Sequence, residues 1–235
     1  MLHRYRAVFF DAGGTLFRPY PSVGEIYERV ASKYGCKARA GELEKKFHDA
    51  WLKRDGLKAL AGHLSEKIEK DWWRELVHEV FDAYVLGGRF ESFFEELYDV
   101  FARPSSWQLF PDTLDVLKHL RKGKQKLGIV SNWDSRLFHL CEGLGLTHYF
   151  DFILASAVFG AAKPSDKIFK EALKLSGVEP HEAVHIGDSL EDDIQGARKS
   201  GIHAVLVDRK ASGEKRDLSH LDELIVIEHL HELLS

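Results

Sequence analysis

Cysteine, methionine and proline are scarce: two, one and six in 235 residues. Cys36 and Cys141 cannot make a disulfide framework, and cysteine this sparse fits a reducing compartment. No apolar run approaches the roughly 20 residues of a membrane-spanning helix. No secretory leader is read near the start either, because the short apolar run Ala7–Phe10 stops at Asp11. The expected location is therefore the cytoplasm. An excess of basic charge is also absent: the formal net charge is -4. That argues against nucleic acid or an anionic membrane as partner. Internal repeats and low-complexity tracts are missing. The 13 histidines are scattered without metal-ligand spacing and are read as structural or solvated.

What is present describes an ordinary globular chain, with 44% hydrophobic and 30% charged residues. At this length one or two domains are expected. Ala7–Phe10 is a continuous apolar run closed by Asp11 and the pair Gly13-Gly14. Leu127–Val130 ends at Ser131-Asn132, Phe152–Leu154 in small residues, Ala183–Ile186 at Gly187-Asp188, and Ala204–Val207 at Asp208. None alternates as a half-exposed strand does, so a parallel sheet covered on both faces is expected. Periodic helices with glycine stops lie between the runs: Asp112–Lys122, Ser165–Ser176 and Asp192–Ser200. Strand–helix alternation predicts an α/β doubly wound parallel sheet.

The stretch 18–107 breaks this alternation. It contains no convincing strand and reads as amphipathic helices over Val23–Tyr34, Gly41–Leu52, Glu66–Phe81 and Ser92–Ala102. It is taken as a helical domain inserted into a core of residues 1–17 and 108–235. Trp51, Trp72, Trp73 and Trp107 fall within it and are read as bundle core. Asp208–Asp217 reads as a polar surface loop.

In an open parallel sheet, ligands bind beyond the carboxyl ends of the strands. Those ends carry Asp11, Ser131-Asn132 and Asp188, while Lys163 lies in the small-residue loop Gly160–Pro164 that opens a helix. Two carboxylates, a hydroxyl and an ammonium thus converge on one edge. A carboxylate can attack phosphorus and form an aspartyl-phosphate. Two carboxylates beside a phosphate need a hard cation, and Mg²⁺ suits one or two carboxylates, waters and a phosphate oxygen. Lysine, hydroxyl and loop N–H groups would hold the charged oxygens.

Asp11 through Leu16 (DAGGTL), Ser131-Asn132, Lys163-Pro164 and Gly187 through Asp193 (GDSLEDD) resemble the four ordered motifs of the haloacid dehalogenase (HAD) superfamily. The resemblance spans Ala7 to Asp208 and implies a Rossmann-like core with an inserted helical cap. Gly24–Tyr27, Trp72-Trp73, SNWDSRL from Ser131 and AVHIGDS from Ala183 further resemble the subfamily of haloacid dehalogenase-like hydrolase domain-containing protein 3. The resemblance implies Asp11 as nucleophile and Mg²⁺ ligand, Asp188 as the second side-chain ligand and Gly13 as a carbonyl ligand. It implies Ser131, Asn132 and Lys163 on the phosphate of a small-molecule substrate. Asp193 fits the second acidic position, orienting Lys163 or a metal-bound water, with Asp192 a solvated neighbour.

One departure stands out. Typical phosphatases of this superfamily carry an acid–base Asp two residues after the nucleophile, where this chain has Gly13. Losing a positioned acid–base costs about 10²–10⁴-fold in rate. A substrate with a good leaving group, such as an acyl or aryl phosphate, or a proton donor elsewhere, would compensate. Restoring the acid by Gly13→Asp is then expected to raise turnover of poor-leaving-group esters. The alternatives are a 2-haloacid dehalogenase, against which Gly187-Asp188 argues, and a catalytically weak phosphate-binding or regulatory protein. A phosphonate hydrolase would need a cap lysine, and Lys53, Lys58 and Lys67 are undistinguished. Trp133 and Arg136 read as packing and surface residues.

Overall fold

The computed structural model describes residues 2–62, 65–84, 86, 88–209 and 224–234. Its centre is β1 (Ala7–Phe10), whose four residues are all fully buried. Their side chains alternate between two separate cores. Val8 and Phe10 pack with Leu127, Ile129 and Ile186, whereas Ala7 and Phe9 pack with Phe169, Ala172 and Ile194. A strand apolar on both faces must be covered on both, as in a parallel sheet. β1 accordingly pairs in parallel with β4 (Lys126–Ser131) and β6 (Ala183–Gly187). β5 (Phe152–Ala155), β7 (His203–Val207) and β8 (Ile225–Ile227) complete a parallel sheet of order β5-β4-β1-β6-β7-β8. This is the expected doubly wound α/β core. The three-residue β8 was not foreseen. Of the predicted loop, only Asp208 and Arg209 lie within the described residues.

Helices α5 (Thr113–Arg121), α6 (Leu137–Gly143), α7 (Ser156–Phe159) and α8 (Asp166–Ser176) connect or flank these strands. The Ser165 hydroxyl caps α8, and Gly177 closes it in the left-handed region at φ 65°. The helix predicted over Asp192–Ser200 is corrected. Leu190–Gln195 forms a wider π-type turn, and only Gly196–Lys199 (α9) is α-helical. The reason is local. The Ser189 hydroxyl accepts from the Asp192 N–H, while the Asp193 carboxylate turns back to accept from the Ser189 N–H at 2.9 Å.

The segment between β1 and β4 holds α1 (Val23–Ser32), α2 (Ala40–Lys53), α3 (Glu66–Val80) and α4 (Phe90–Ala102). Their apolar faces enclose a separate core that includes Ile26, Leu43, Leu76, Phe93 and Phe94. The expectation of no strand there is overturned. β2 (Phe17–Pro19) and β3 (Trp107–Leu109) pair antiparallel and tie together the two chain passages into the helical segment. Three-residue strands carry too little alternation to register in the sequence.

Candidate active site

Asp11 follows β1 directly, and its N–H donates to the Ile186 carbonyl of β6 at 2.8 Å, so its position is fixed by the sheet itself. Its carboxylate accepts from the buried Lys163 ammonium at 2.7 Å, and the buried Ser131 at the end of β4 lines the same cavity as Asp11. Lys163 also donates to Asp193 at 2.5 Å, and Asp193 takes a further hydrogen bond from His185 of β6, at 2.8 Å. Burial pulls the Lys163 ammonium down, but Asp11 and Asp193 outweigh it and hold the group above its ordinary value. Asp193 is also penalised by burial, yet Lys163 and His185 hold it well below the carboxylate range. His185 is pulled down by burial, against the support of Asp193.

The resemblance implies Asn132 on the phosphate; in the structure its side-chain amide clasps the Lys163 backbone. Oδ1 accepts from the Lys163 N–H at 2.7 Å, while Nδ2 donates to the Lys163 carbonyl at 2.9 Å and to Asp192 at 3.3 Å. With both amide faces occupied, Asn132 positions the lysine. Asp192 is not simply solvated: Lys58 of the helical segment reaches it at 2.9 Å and also pairs with Asp55. Burial raises the Asp192 carboxyl, and Lys58 offsets part of that rise.

Asp188 follows β6 and stands beside Asp11 and Asp193, with ligand oxygens of the three within 4.8 Å of one another. Burial, then the charges of Asp11 and Asp193, push its carboxyl up to about 8. Burial likewise raises Asp11, against the pull of Lys163. Three ionised carboxylates and one ammonium would leave two negative charges in a buried cluster. A divalent cation cancels that excess, and an all-oxygen donor set suits a hard ion. Asp193 is engaged by Lys163, His185 and Ser189, so Asp11 and Asp188 are the carboxylates better placed to ligate.

The Gly13-Gly14 turn is explained by two close approaches. A Cβ on Gly14, whose φ is +76°, would lie 2.3 Å from an Asp188 oxygen. A Cβ on Gly13 would lie 2.8 Å from the Trp133 ring. Trp133 is itself held edge-on by Phe17, centroids 5.6 Å apart, and tilted against Trp107 at 5.2 Å. The indole therefore stands where the side chain of a residue 13 would project.

Above the carboxylates lies a cavity of about 400 Å³ between the sheet edge and the helical segment. Trp51, Trp73 and Trp107, read from sequence as bundle core, line it together with Trp133. Arg136 is not a surface residue. It pairs with the fully buried Asp134 at 2.5 Å and stacks on Tyr98, 4.2 Å from the ring centre, and on Trp73. The Trp73 indole N–H donates to Asp134 at 2.7 Å. Nearby, the Glu69 carboxylate of α3 accepts from the Ser135 hydroxyl at 2.5 Å and from its N–H. Burial raises the Glu69 carboxyl, partly offset by Ser135. Sequence reasoning gave no role to His185, Glu69, Asp134 or Lys58, although His185 and Asp134 stand inside the AVHIGDS and SNWDSRL runs.

A parallel sheet whose strand ends gather a buried lysine and a cluster of three carboxylates agrees with one class, the HAD-type hydrolases. The family model for haloacid dehalogenase-like hydrolase matches residues 5–201. The chain is 36% identical over 215 residues to haloacid dehalogenase-like hydrolase domain-containing protein 3 of Bos taurus, covering 88% of this chain and 84% of the bovine protein. Among solved structures, a HAD phosphatase from Thermococcus onnurineus is 29% identical, with TM-score 0.64 and coverage of 97% and 95% of the two chains. A 2-haloacid dehalogenase from Pseudomonas syringae pv. Tomato is 25% identical, with TM-score 0.64 and coverage of 98% and 96%. This chain belongs to the HAD-like hydrolases.

Proposed function

We propose that this chain is a Mg²⁺-dependent phosphatase acting on a small phosphorylated molecule through an aspartyl-phosphate at Asp11. The observation that carries this reading is the buried cluster itself, in which Asp11 is hydrogen-bonded to Lys163 and crowded by Asp188, and which would hold two negative charges in excess with all three carboxylates ionised. The Asp11 carboxylate attacks phosphorus, and the bond to the leaving oxygen breaks. Water then attacks the acyl phosphate, releasing inorganic phosphate and regenerating the carboxylate. Asp11, Asp188 and the Gly13 carbonyl would hold Mg²⁺, which when bound neutralises charge on the phosphoryl oxygens. Lys163, fixed by Asn132 and Asp193, would stabilise those oxygens together with the Ser131 hydroxyl.

Residues 18–107 act as a cap over a core of 1–17 and 108–235, excluding water from the reaction. A cavity of about 400 Å³ admits a small molecule rather than a nucleic acid strand. The scarce cysteine and the lack of any helix, among the described residues, able to cross a membrane agree with a cytoplasmic setting. With Gly13 in place of an acid, alkyl phosphates are poor substrates. The test is turnover of a phosphate panel that includes acetyl phosphate, with and without Mg²⁺, against Asp11→Asn. Equal turnover by both proteins would reduce the site to phosphate binding. The missing acid and the apolar cavity also suit a dehalogenase. Metal-independent chloride release from 2-chloropropionate would establish that reading, and the Asp188 carboxylate argues against it.

A further inference from the structure

The cavity over Asp11 is polar at one end only. Its floor holds Asp11, Lys163 and Asp188, while its far walls are built of aromatic rings, among them Trp51, Trp73, Trp107 and Trp133. Three of the hydrogen-bonding groups on those walls are engaged within the protein. Trp73 Nε1 donates to Asp134, Trp107 Nε1 donates to the Phe101 carbonyl, and the Arg136 charge is neutralised by Asp134. The Tyr27 and Tyr98 hydroxyls and the Trp51 and Trp133 indole N–H groups, without a hydrogen bond among the described residues, add isolated polar points at the edges of aromatic rings. A polyhydroxylated or doubly charged leaving group entering here would lose water and find few partners. An aromatic ring would find edge and face contacts on several sides.

The second observation is Trp133. It lines this cavity and closes over Gly13, at 2.8 Å from where a Cβ would stand, so one side chain both offers a ring to the leaving group and excludes an acid at position 13. These features agree chemically. A phenol, with a pKa near about 10, departs as phenolate without a proton from the enzyme, whereas an alkoxide does not.

We infer that the substrate is the phosphate monoester of an aromatic alcohol, with Trp133 as the residue that selects it; this rests on the phosphatase reading above. Asp11 attacks phosphorus, and the P–O(aryl) bond breaks with its electron pair leaving on the phenolate. Water then cleaves the aspartyl-phosphate to inorganic phosphate, and the proton it releases neutralises the phenolate. The net reaction is aryl phosphate plus water to phenol plus inorganic phosphate.

The experiment uses the full chain with Mg²⁺ and two readouts. Hydrolysis is compared for acetyl phosphate, 1-naphthyl phosphate and glycerol 1-phosphate. Binding of the non-hydrolysable phenylphosphonate and methylphosphonate is measured by calorimetry. The expected result is a naphthyl phosphate KM about tenfold or more below that of acetyl phosphate, negligible turnover of glycerol 1-phosphate, and phenylphosphonate bound about tenfold or more tighter than methylphosphonate. Trp133→Ala, or the milder Trp133→Phe if alanine unfolds the protein, should shrink the phenyl-to-methyl binding ratio. Acetyl phosphate turnover that depends on Asp11, together with equal binding of the two phosphonates, would overturn the aromatic assignment and leave the phosphatase reading standing. Loss of both turnover and phosphonate binding would overturn the phosphatase reading and the aromatic assignment with it.

Discussion

Restoring the missing acid by Gly13→Asp is the sharpest perturbation of this site, and the structure changes what it should do. Read from sequence, the substitution supplies a general acid and raises turnover of alkyl phosphates by about 10²–10⁴-fold. The structure puts the new Cβ 2.8 Å from the Trp133 ring. Carbon–carbon contacts sit at about 3.5–4.0 Å, so roughly an ångström must be found. Trp133 cannot easily yield, because Phe17 and Trp107 pack against it. Overpacking of this kind costs about 1–3 kcal/mol. For a chain of this length that lowers Tm by about 2–12 °C. Gly13→Asp alone should therefore destabilise the protein and leave glycerol 1-phosphate turnover close to wild type, since the carboxyl is displaced from the leaving oxygen. In a Trp133→Ala background the clash is gone, and adding Gly13→Asp should raise that turnover by about 10²-fold or more over Trp133→Ala. The assay is a double-mutant cycle of kcat/KM and Tm. A full rate gain from Gly13→Asp alone with no fall in Tm would refute the steric argument. No gain in the double mutant would show that a leaving-group proton does not limit the rate.

Two further outcomes follow from buried charge. Asp188, with its folded pKa raised to about 8, favours the protonated folded state; Asp11, also raised by burial, acts in the same sense. That stabilisation is complete below the carboxyl's unfolded value and is lost as pH rises through about 8. Mg²⁺ binding requires the ionised form, so the Mg²⁺-induced rise in Tm should grow between pH 6 and pH 9; an equal rise at both values would exclude Asp188 as a ligand. Asp134→Ala strands the Arg136 charge between Tyr98 and Trp73 and should cost about 3–5 kcal/mol, whereas Asp134→Asn keeps part of the hydrogen bonding and costs less. Chemical denaturation reads both, and a loss below about 1 kcal/mol for alanine would mean that the pair does not hold.

The parts of the fold that were legible in the sequence share a physical origin. Ala7–Phe10 and Leu127–Val130 carry no polar side chain on either face, and that pattern by itself demands burial in a parallel sheet. Asp11, Ser131 and Asp188 each stand within two residues of the end of a strand run, which places them at one edge of the sheet. The short β2 and β3 and the π-type turn at Leu190–Gln195 were illegible because pairing and side-chain contacts fix them, not periodicity.

The site divides in the same way. Gly13 was visible as a missing acid, but not the Trp133 ring that occupies its space, 120 positions further along the chain. Asn132 was legible as a site residue, yet only the folded chain turned its amide onto the Lys163 backbone. Asp134 reads as one more polar residue until Trp73, 61 positions away, donates to it. Local pattern thus determined the sheet, the strand-end carboxylates and the lysine. Which rings close the cavity, which charge each buried carboxylate faces and what stands above Gly13 were decided by tertiary contacts, because those energies depend on neighbours the chain meets only once folded.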